Sequence, residues 1–106
     1  MNLTSFLQDK QLTIALRGEI DHHSAKDIMR VVGNKIELYL PRVFVLDFRE
    51  VGFMDSSGIG LVLGRYRLMQ ELEGRLTLRA MPPHIRRVMR VAGIANLEID
   101  EEESRI

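Results

Sequence analysis

The run Val43–Phe48 constrains the fold of this chain more than any other segment. It is almost continuously apolar, with Asp47 as its single charged residue, and such a run is typical of a central strand buried on both faces of a parallel sheet. Apolar residues recur at helical spacing before and after it, stopping at Pro41 and resuming near Ser57. A strand between two helices predicts a largely parallel sheet with right-handed crossovers.

The segments at the two ends of the chain complete this sheet. Leu12–Leu16 has strand composition, and Thr4–Gln8 is predicted to pair with it as an antiparallel edge through a turn at Asp9-Lys10. The later patterns predict, in order, a strand at Leu76–Leu78, a short helix that starts at Pro82-Pro83 with Ala92 on its inward face, and an edge strand at Leu97–Ile99.

The two helices around the central strand have different start signals. The first has Asp21 or Ser24 as its N-cap, and its apolar positions are Ala25, Ile28, Met29, Val32, Ile36 and Leu40. The second is predicted over about Ser57–Glu73, with Gly74 as its stop. The residues thus predict a single α/β domain over positions 1–106, with a mixed, mostly parallel sheet of four to five strands and helices packed on it.

Three glycines lie inside the second predicted helix, at positions 58, 60 and 64. Each costs about 1 kcal/mol of helix stability relative to alanine. We expect close packing of the helix backbone on the sheet to offset that cost, above all at Gly64.

Charge and cysteine content exclude several classes of function. Fifteen basic and fifteen acidic residues give no net charge, which argues against a nucleic-acid or membrane partner. There is no cysteine, so disulfide and thiolate chemistry are excluded and a reducing cytoplasm is expected. Neither a secretory signal nor a run long enough to span a membrane is present. The basic segment 75–90 and the acidic tail 98–103 either neutralise one another or leave the tail as a solvated end.

The tetrapeptide Asp55-Ser56-Ser57-Gly58 lies where the second helix should begin. Asp and Ser are preferred N-cap residues, so a helix cap is the interpretation that this tetrapeptide favours by itself. The free backbone N–H groups and the dipole of a helix start also tolerate an added phosphate. Both interpretations stay open at this point.

Other chemistry finds little support in the residues. No glycine-rich loop ends in Lys-Ser or Lys-Thr, and no nucleophile elbow is present. His22 and His23 are expected in a polar loop before the first helix, and His84 is far away in sequence, so no metal site and no cofactor are expected. Asp47 is expected as an end-of-strand residue bonded to nearby backbone rather than as the phosphoacceptor of a receiver domain, because the acidic pair and lysine of receivers are not found.

An enzyme or carrier that uses Ser56 or Ser57 covalently is the rival from another class. A phosphopantetheine carrier places its acceptor serine after an aspartate at a helix start, as this chain does. Such carriers are helical bundles, however, and the strand-like runs Leu12–Leu16 and Val43–Phe48 argue against that fold.

Two segments together resemble the bacterial anti-anti-sigma factors of the STAS domain family. Gly18-Glu19-Ile20-Asp21-His22-His23-Ser24-Ala25 is similar to their Gly-Glu-x-Asp-His-His-x-Ala segment. Phe53-Met54-Asp55-Ser56-Ser57-Gly58-Ile59-Gly60 is similar to their phosphorylation segment, and Leu63-Gly64-Arg65-Tyr66 continues the match. The resemblance spans roughly Leu12–Asn96.

The resemblance implies a non-enzymatic regulator that switches partners. In its unphosphorylated form the protein would bind an anti-sigma factor that is also a serine kinase, and so free a sporulation sigma factor for transcription. Phosphorylation by that kinase, carried over to Ser56, would switch it off, and a metal-dependent type 2C serine phosphatase would reverse this. A STAS regulator of a stress-response sigma pathway is the alternative within the family.

The same resemblance implies which residues surround the phosphoacceptor. Asp21 and Asp55 would lie near Ser56 and contribute to kinase contact, with Ser57 as its neighbour. Gly58 and Gly60 would leave the serine uncluttered for a kinase active site. Met54 and Ile59 are candidates for an exposed apolar contact beside Ser56, with a place in the core as the alternative for each.

Overall fold

The computed structural model describes residues 3–103 of the chain. Its sheet has the order β1-β2-β3-β4-β5, in which β1 is antiparallel to β2 and every other neighbouring pair is parallel. The predicted mixed, mostly parallel sheet with helices is confirmed. The elements in chain order are β1 (Leu3–Gln8), β2 (Gln11–Ile20), α1 (His22–Tyr39), β3 (Val43–Met54), α2 (Ser56–Glu71), β4 (Arg75–Arg79), α3 (Pro83–Val91), a 3-10 turn (Ile94–Asn96) and β5 (Asp100–Glu102).

The β1–β2 hairpin closes through the predicted two-residue turn. Asp9 and Lys10 have φ values of 51° and 65°, the backbone that two-residue hairpin turns require for the right-handed strand twist. The turn also supports the central strand, because the backbone N–H of Arg42 donates to the carbonyl of Lys10 at 2.8 Å. One end of the sheet is thereby held together by backbone hydrogen bonds.

Strand β3 is twice as long as predicted and contains two bulges. Its register with β2 moves from Ala15–Asp47 to Arg17–Glu50, and again between Gly18–Val51 and Glu19–Phe53. Each shift places one extra residue in β3, so side chains no longer alternate strictly between the two faces. Beyond Asp47 the buried residues of β3 are therefore three apart, at Phe48, Val51 and Met54.

The prediction that Asp47 ends a strand is wrong. Strand β3 continues to Met54, so Asp47 lies within it. Its carboxylate accepts a hydrogen bond from the backbone N–H of Arg49 at 2.9 Å, so the expected bond to nearby backbone is confirmed.

The core lies between the sheet and its helices. In α1 the buried residues are the predicted Ala25, Ile28, Val32 and Ile36. The helix ends at Tyr39, with Leu40 in a left-handed C-cap just before Pro41. Leu40 is 59% exposed, so its predicted place on the apolar face of the helix is wrong. In α3, Ile85 and Met89 are buried, but Ala92 is exposed because it lies beyond the last helical residue. The prediction that Ala92 faces inward is wrong.

The packing role expected of the glycines in α2 holds for only one of the three. A Cβ atom built on Gly60 or Gly64 would meet nothing within 4 Å, whereas one on Gly58 would collide with a side chain. The prediction of close packing at Gly64 is therefore wrong.

The chain turns after α2 at Glu73, which has φ 58°. Glycine is required at the next position, Gly74, because a Cβ atom there would lie 2.9 Å from the carbonyl oxygen of Arg42.

The last strand lies three residues later than predicted, at Asp100–Glu102 rather than Leu97–Ile99. Its acidic side chains pair with the basic segment: Arg75 with Asp100 at 3.0 Å, Arg79 with Glu102 at 3.0 Å, and Arg86 with Glu101 and Glu103 at 3.7 and 3.2 Å. These ion pairs confirm the alternative in which the basic segment and the acidic tail neutralise one another, rather than the one in which the tail is a solvated end. No helix among residues 3–103 is both long enough and apolar enough to cross a membrane.

Candidate functional site

The two sequence segments singled out above meet at one edge of the sheet. Ile20 ends β2 and Met54 ends β3, and the two residues are register partners. The backbone N–H of Asp55 donates to the carbonyl of Ile20 at 3.1 Å. Asp21 and Asp55 then begin α1 and α2 at adjacent strand ends, so the N-termini of both helices lie side by side.

Asp55 is the N-cap of α2. Its carboxylate accepts a hydrogen bond from the backbone N–H of Ser57 at 2.8 Å, and its carbonyl accepts from the backbone N–H of Gly58 at 3.0 Å. Ser56 is the first residue of the helix and is exposed, while Ser57 is partly buried. The cap interpretation is therefore confirmed for Asp55, and the cap leaves Ser56 accessible from solvent.

Asp21 caps α1 with a reciprocal pair of hydrogen bonds. Its Oδ1 accepts from the backbone N–H groups of His23 and Ser24 at 3.0 and 2.9 Å, and the Ser24 hydroxyl accepts from the backbone N–H of Asp21 at 2.9 Å. His22 and His23 thus lie in the first turn of α1, which corrects the polar loop expected for them. The two histidines are helical because Asp21, the residue before them, is the N-cap.

The hydrogen bonds at this cap lower the pKa of Asp21. The backbone N–H of Ser24 has the largest effect, and the Ser24 hydroxyl, the backbone N–H of His23 and the charge of His23 add to it against desolvation. Because donors favour the ionised carboxylate, Asp21 carries a full negative charge at neutral pH. The candidate site therefore presents a fixed anionic group on α1 next to the start of α2.

Gly18 shapes the approach to this cap. It has φ 91° at the second register shift between β2 and β3, a conformation that favours glycine over residues with a side chain. The carbonyl of Glu19, the next residue, accepts a hydrogen bond from the Ser24 hydroxyl at 2.9 Å. Gly18 and Glu19, which begin the Gly18–Ala25 segment, thus support the Asp21 cap from the end of β2.

An open hollow of about 360 Å³ adjoins the Asp21 cap. Most of its lining side chains are polar, and carboxylates outnumber basic groups: Arg17, Glu19, Asp21, His23, Ser24, Asp27 and Ile28. Among residues 3–103, no three His, Cys, Asp or Glu side chains cluster in a way that could hold a metal ion. The surface around the Asp21 cap is therefore anionic.

The predicted site residues do not all face solvent. Asp21, Asp55, Ser56 and Ser57 share the edge as expected, but Met54 is only 5% exposed, so the core alternative is correct for it. Ile59 is partly buried and packs against the core. Gly58 is buried within the first turn of α2.

The exposed apolar residue of the site is Phe53, which sequence reasoning missed. Its side chain is 49% exposed, three residues before Ser56. The bulge that adds Gly52 to β3 turns Phe53 outward and Met54 inward. Gly52 was the available signal, since an isolated glycine in a strand pattern suggests a bulge.

The comparisons with known proteins agree with this fold. The sequence profile of the STAS domain matches residues 6–104. An anti-sigma F factor antagonist of Lysinibacillus sphaericus is 33% identical over 89% of this chain and 80% of its own length. An anti-sigma-B factor antagonist of Listeria monocytogenes is 23% identical over 92% of this chain and 87% of its own length.

Solved structures give the same result. The anti-sigma factor antagonist SpoIIAA in its unphosphorylated form superposes with a TM-score of 0.84 at 29% identity, covering 97% of this chain and 88% of that one. The phosphorylated form of SpoIIAA, a Bacillus cell fate determinant, superposes with a TM-score of 0.78 at 29% identity, covering 97% and 91%.

Proposed function

This chain belongs to the STAS domain family, and on that premise we propose that it is an anti-sigma factor antagonist controlled by phosphorylation of Ser56. The unphosphorylated protein binds an anti-sigma factor that is also a serine kinase, which releases the sigma factor. The kinase then phosphorylates Ser56 and the complex dissociates. A metal-dependent type 2C phosphatase restores the binding form. The protein is a substrate and a binding partner in this scheme, and it catalyses no step.

The observation that carries the proposal is the exposed Ser56 at the start of α2, beside two capping carboxylates. Ser56 is exposed and Ser57 partly buried, so the first serine is the more accessible acceptor for a kinase. Asp21 and Asp55 cap the two helices that start at the neighbouring ends of β2 and β3, and Phe53 is half-exposed three residues before Ser56. The existence of SpoIIAA in a phosphorylated form further supports a phosphoserine switch.

We propose that the phosphate on Ser56 weakens binding by steric and electrostatic exclusion of the partner, without refolding of the protein. A phosphoserine adds about −1.5 to −2 charges. Inside the protein the effect is small, because the helix dipole favours an anion at the first residue of α2 while Asp55 opposes it. At an interface the phosphate must lose its water and face the charges of the partner. A loss of about 2–3 kcal/mol in binding equals roughly a 30- to 150-fold weaker complex.

The sigma pathway is proposed to be the one that controls sporulation. The anti-sigma F factor antagonist shares 33% identity with this chain, against 23% for the anti-sigma-B factor antagonist. This difference favours a sigma F type of partner over a stress-response one. Binding assays with both classes of anti-sigma factor would decide between them.

The experiment that tests the proposal is peptide mass spectrometry after incubation with the cognate anti-sigma kinase and ATP. Phosphate is expected on Ser56, and none is expected on Ser56→Ala. Ser57→Ala is the matched control and should still be phosphorylated at Ser56. Phosphate on Ser57 would overturn the residue assignment, and an acyl or phosphopantetheine mass on the purified protein would favour a carrier instead.

A further inference from the structure

Gly58 lies two residues after Ser56 and leaves no room for a side chain. It is buried in the first turn of α2. A Cβ atom built on it would overlap Cγ and Sδ of Met54 and lie 3.2 Å from its Cε. The side chain of Met54 therefore crosses directly over the backbone of Gly58, and the first turn of the helix rests on the end of β3.

Met54 is not free to move away from this contact. It is buried in the hydrophobic core together with Phe48 and Val51 of the same strand. The overlap involves Cγ and Sδ, near the middle of the side chain, as well as the flexible terminal methyl group. Interiors are packed closely enough that such a side chain cannot shift without displacing its neighbours.

A second contact holds the other side of Ser56. The backbone N–H of Asp55 is bonded to the carbonyl of Ile20 at 3.1 Å, and the backbone N–H of Gly58 to the carbonyl of Asp55 at 3.0 Å. Ser56 thus lies between a backbone hydrogen bond to β2 and the Met54–Gly58 packing contact. The two contacts therefore hold the backbone on both sides of Ser56, at Asp55 and at Gly58.

We propose that Met54 and Gly58 are positioning residues, whose packing contact fixes the Ser56 hydroxyl for in-line phosphate transfer. The inference rests on the proposed function and deepens it. In the step, Ser56 Oγ forms a bond to the γ-phosphorus of ATP, the bond from that phosphorus to the bridging oxygen of ADP breaks, and the hydroxyl proton passes to a base of the kinase. Transfer of this kind depends chiefly on placement of the nucleophile.

The test compares four variants in steady-state phosphorylation by the anti-sigma kinase: Gly58→Ala, Met54→Ala, the double variant of both, and Gly64→Ala. Gly64→Ala is the matched control, since it lies in the same helix away from Ser56 and a Cβ there meets nothing within 4 Å. Gly58→Ala is expected to lower kcat at least about tenfold with KM changed less than about twofold, because misplacing a reacting group by about 1 Å can cost about 10²-fold in rate. Gly64→Ala should match the wild type in kcat and KM.

The double variant separates positioning from general damage. Truncating Met54 removes the atoms that a methyl group at position 58 would strike, so the added methyl in the double variant should slow transfer much less than it does beside an intact Met54. Thermal unfolding of each variant shows whether it is folded at the assay temperature. If Gly58→Ala does not fold, the double variant compared with Met54→Ala still tests the inference.

A kinase-independent measurement distinguishes failure of this inference from failure of the proposed function. Amide hydrogen exchange at Ser57 and at position 58 should be faster in Gly58→Ala than in Gly64→Ala. A folded Gly58→Ala protein with wild-type kcat, or a loss of kcat that truncation of Met54 does not relieve, would overturn the inference while phosphorylation of wild-type Ser56 still stands. Absence of phosphate on the wild type would overturn both, and the exchange rates would then report only on packing.

Discussion

Replacing Gly64 by alanine is expected to stabilise the protein. Gly64 lies in the middle of α2, where glycine is about 0.8–1.0 kcal/mol less favourable than alanine. A Cβ atom at this position would meet nothing within 4 Å, and Gly64 is not among the residues with positive φ, so neither a clash nor backbone strain opposes the gain. The expected increase in the free energy of unfolding is therefore about 1 kcal/mol, and Tm should rise by about 4–6 °C.

Urea unfolding followed by circular dichroism measures this change. The midpoint should move to higher urea with an unchanged m-value, which shows that stability and not compactness has changed. Gly60→Ala should behave in the same way, and Gly58→Ala is the contrasting variant that should lose stability because of Met54. A loss of stability in Gly64→Ala would refute the open environment of this helix face. It would instead favour the close packing at Gly64 that the sequence predicted.

Three further outcomes follow from the site and the edge of the sheet. Phe53→Ser should weaken binding to the anti-sigma factor, measured by calorimetry, with little loss of stability because the ring is half exposed. Asp21→Ala should be less stable than the wild type at pH 7. Because folding lowers the pKa of Asp21, its stabilising effect is full above the unfolded pKa of about 3.9 and fades as the pH falls through the folded value, so urea midpoints of the two proteins should converge in acid. Arg79→Gln should lower stability by at most about 1 kcal/mol, and by less in high salt, since its ion pair with Glu102 lies near the surface.

Much of the fold could be predicted because its patterns are long and regular. The apolar run Val43–Phe48 and the helical spacing of Ala25, Ile28, Val32 and Ile36 predicted the central strand and the first helix correctly. The β1–β2 hairpin was also confirmed. Each of these signals depends on local periodicity, which a sequence records directly.

The errors arose where the periodicity is broken. Two bulges in β3 leave the buried residues three apart at Phe48, Val51 and Met54, which places Met54 in the core and Phe53 outside. His22 and His23 joined α1 because Asp21 caps it earlier than their polarity suggested. Packing at Gly64 could not be judged from the sequence, because the space beside a helix depends on the elements around it.

The candidate site was only partly accessible to sequence reasoning. Asp55 as a helix cap followed from residue preferences. The closeness of Asp21 to Ser56 came from family resemblance, since these residues are brought together by the pairing of β2 with β3 and not by their spacing. The close packing of Gly58 against Met54 depends on how α2 lies on β3, which no local sequence pattern records.

The most direct test of the phosphorylation switch is a paired affinity measurement by calorimetry with the anti-sigma kinase in the presence of ADP. The two titrants are the unmodified protein and the protein phosphorylated on Ser56, with Ser56→Ala as a control that should bind like the unmodified form. The account predicts roughly 30- to 150-fold weaker binding of the phosphorylated protein, equal to about 2–3 kcal/mol. Affinities within about twofold of each other, a difference of about 0.4 kcal/mol, would contradict it.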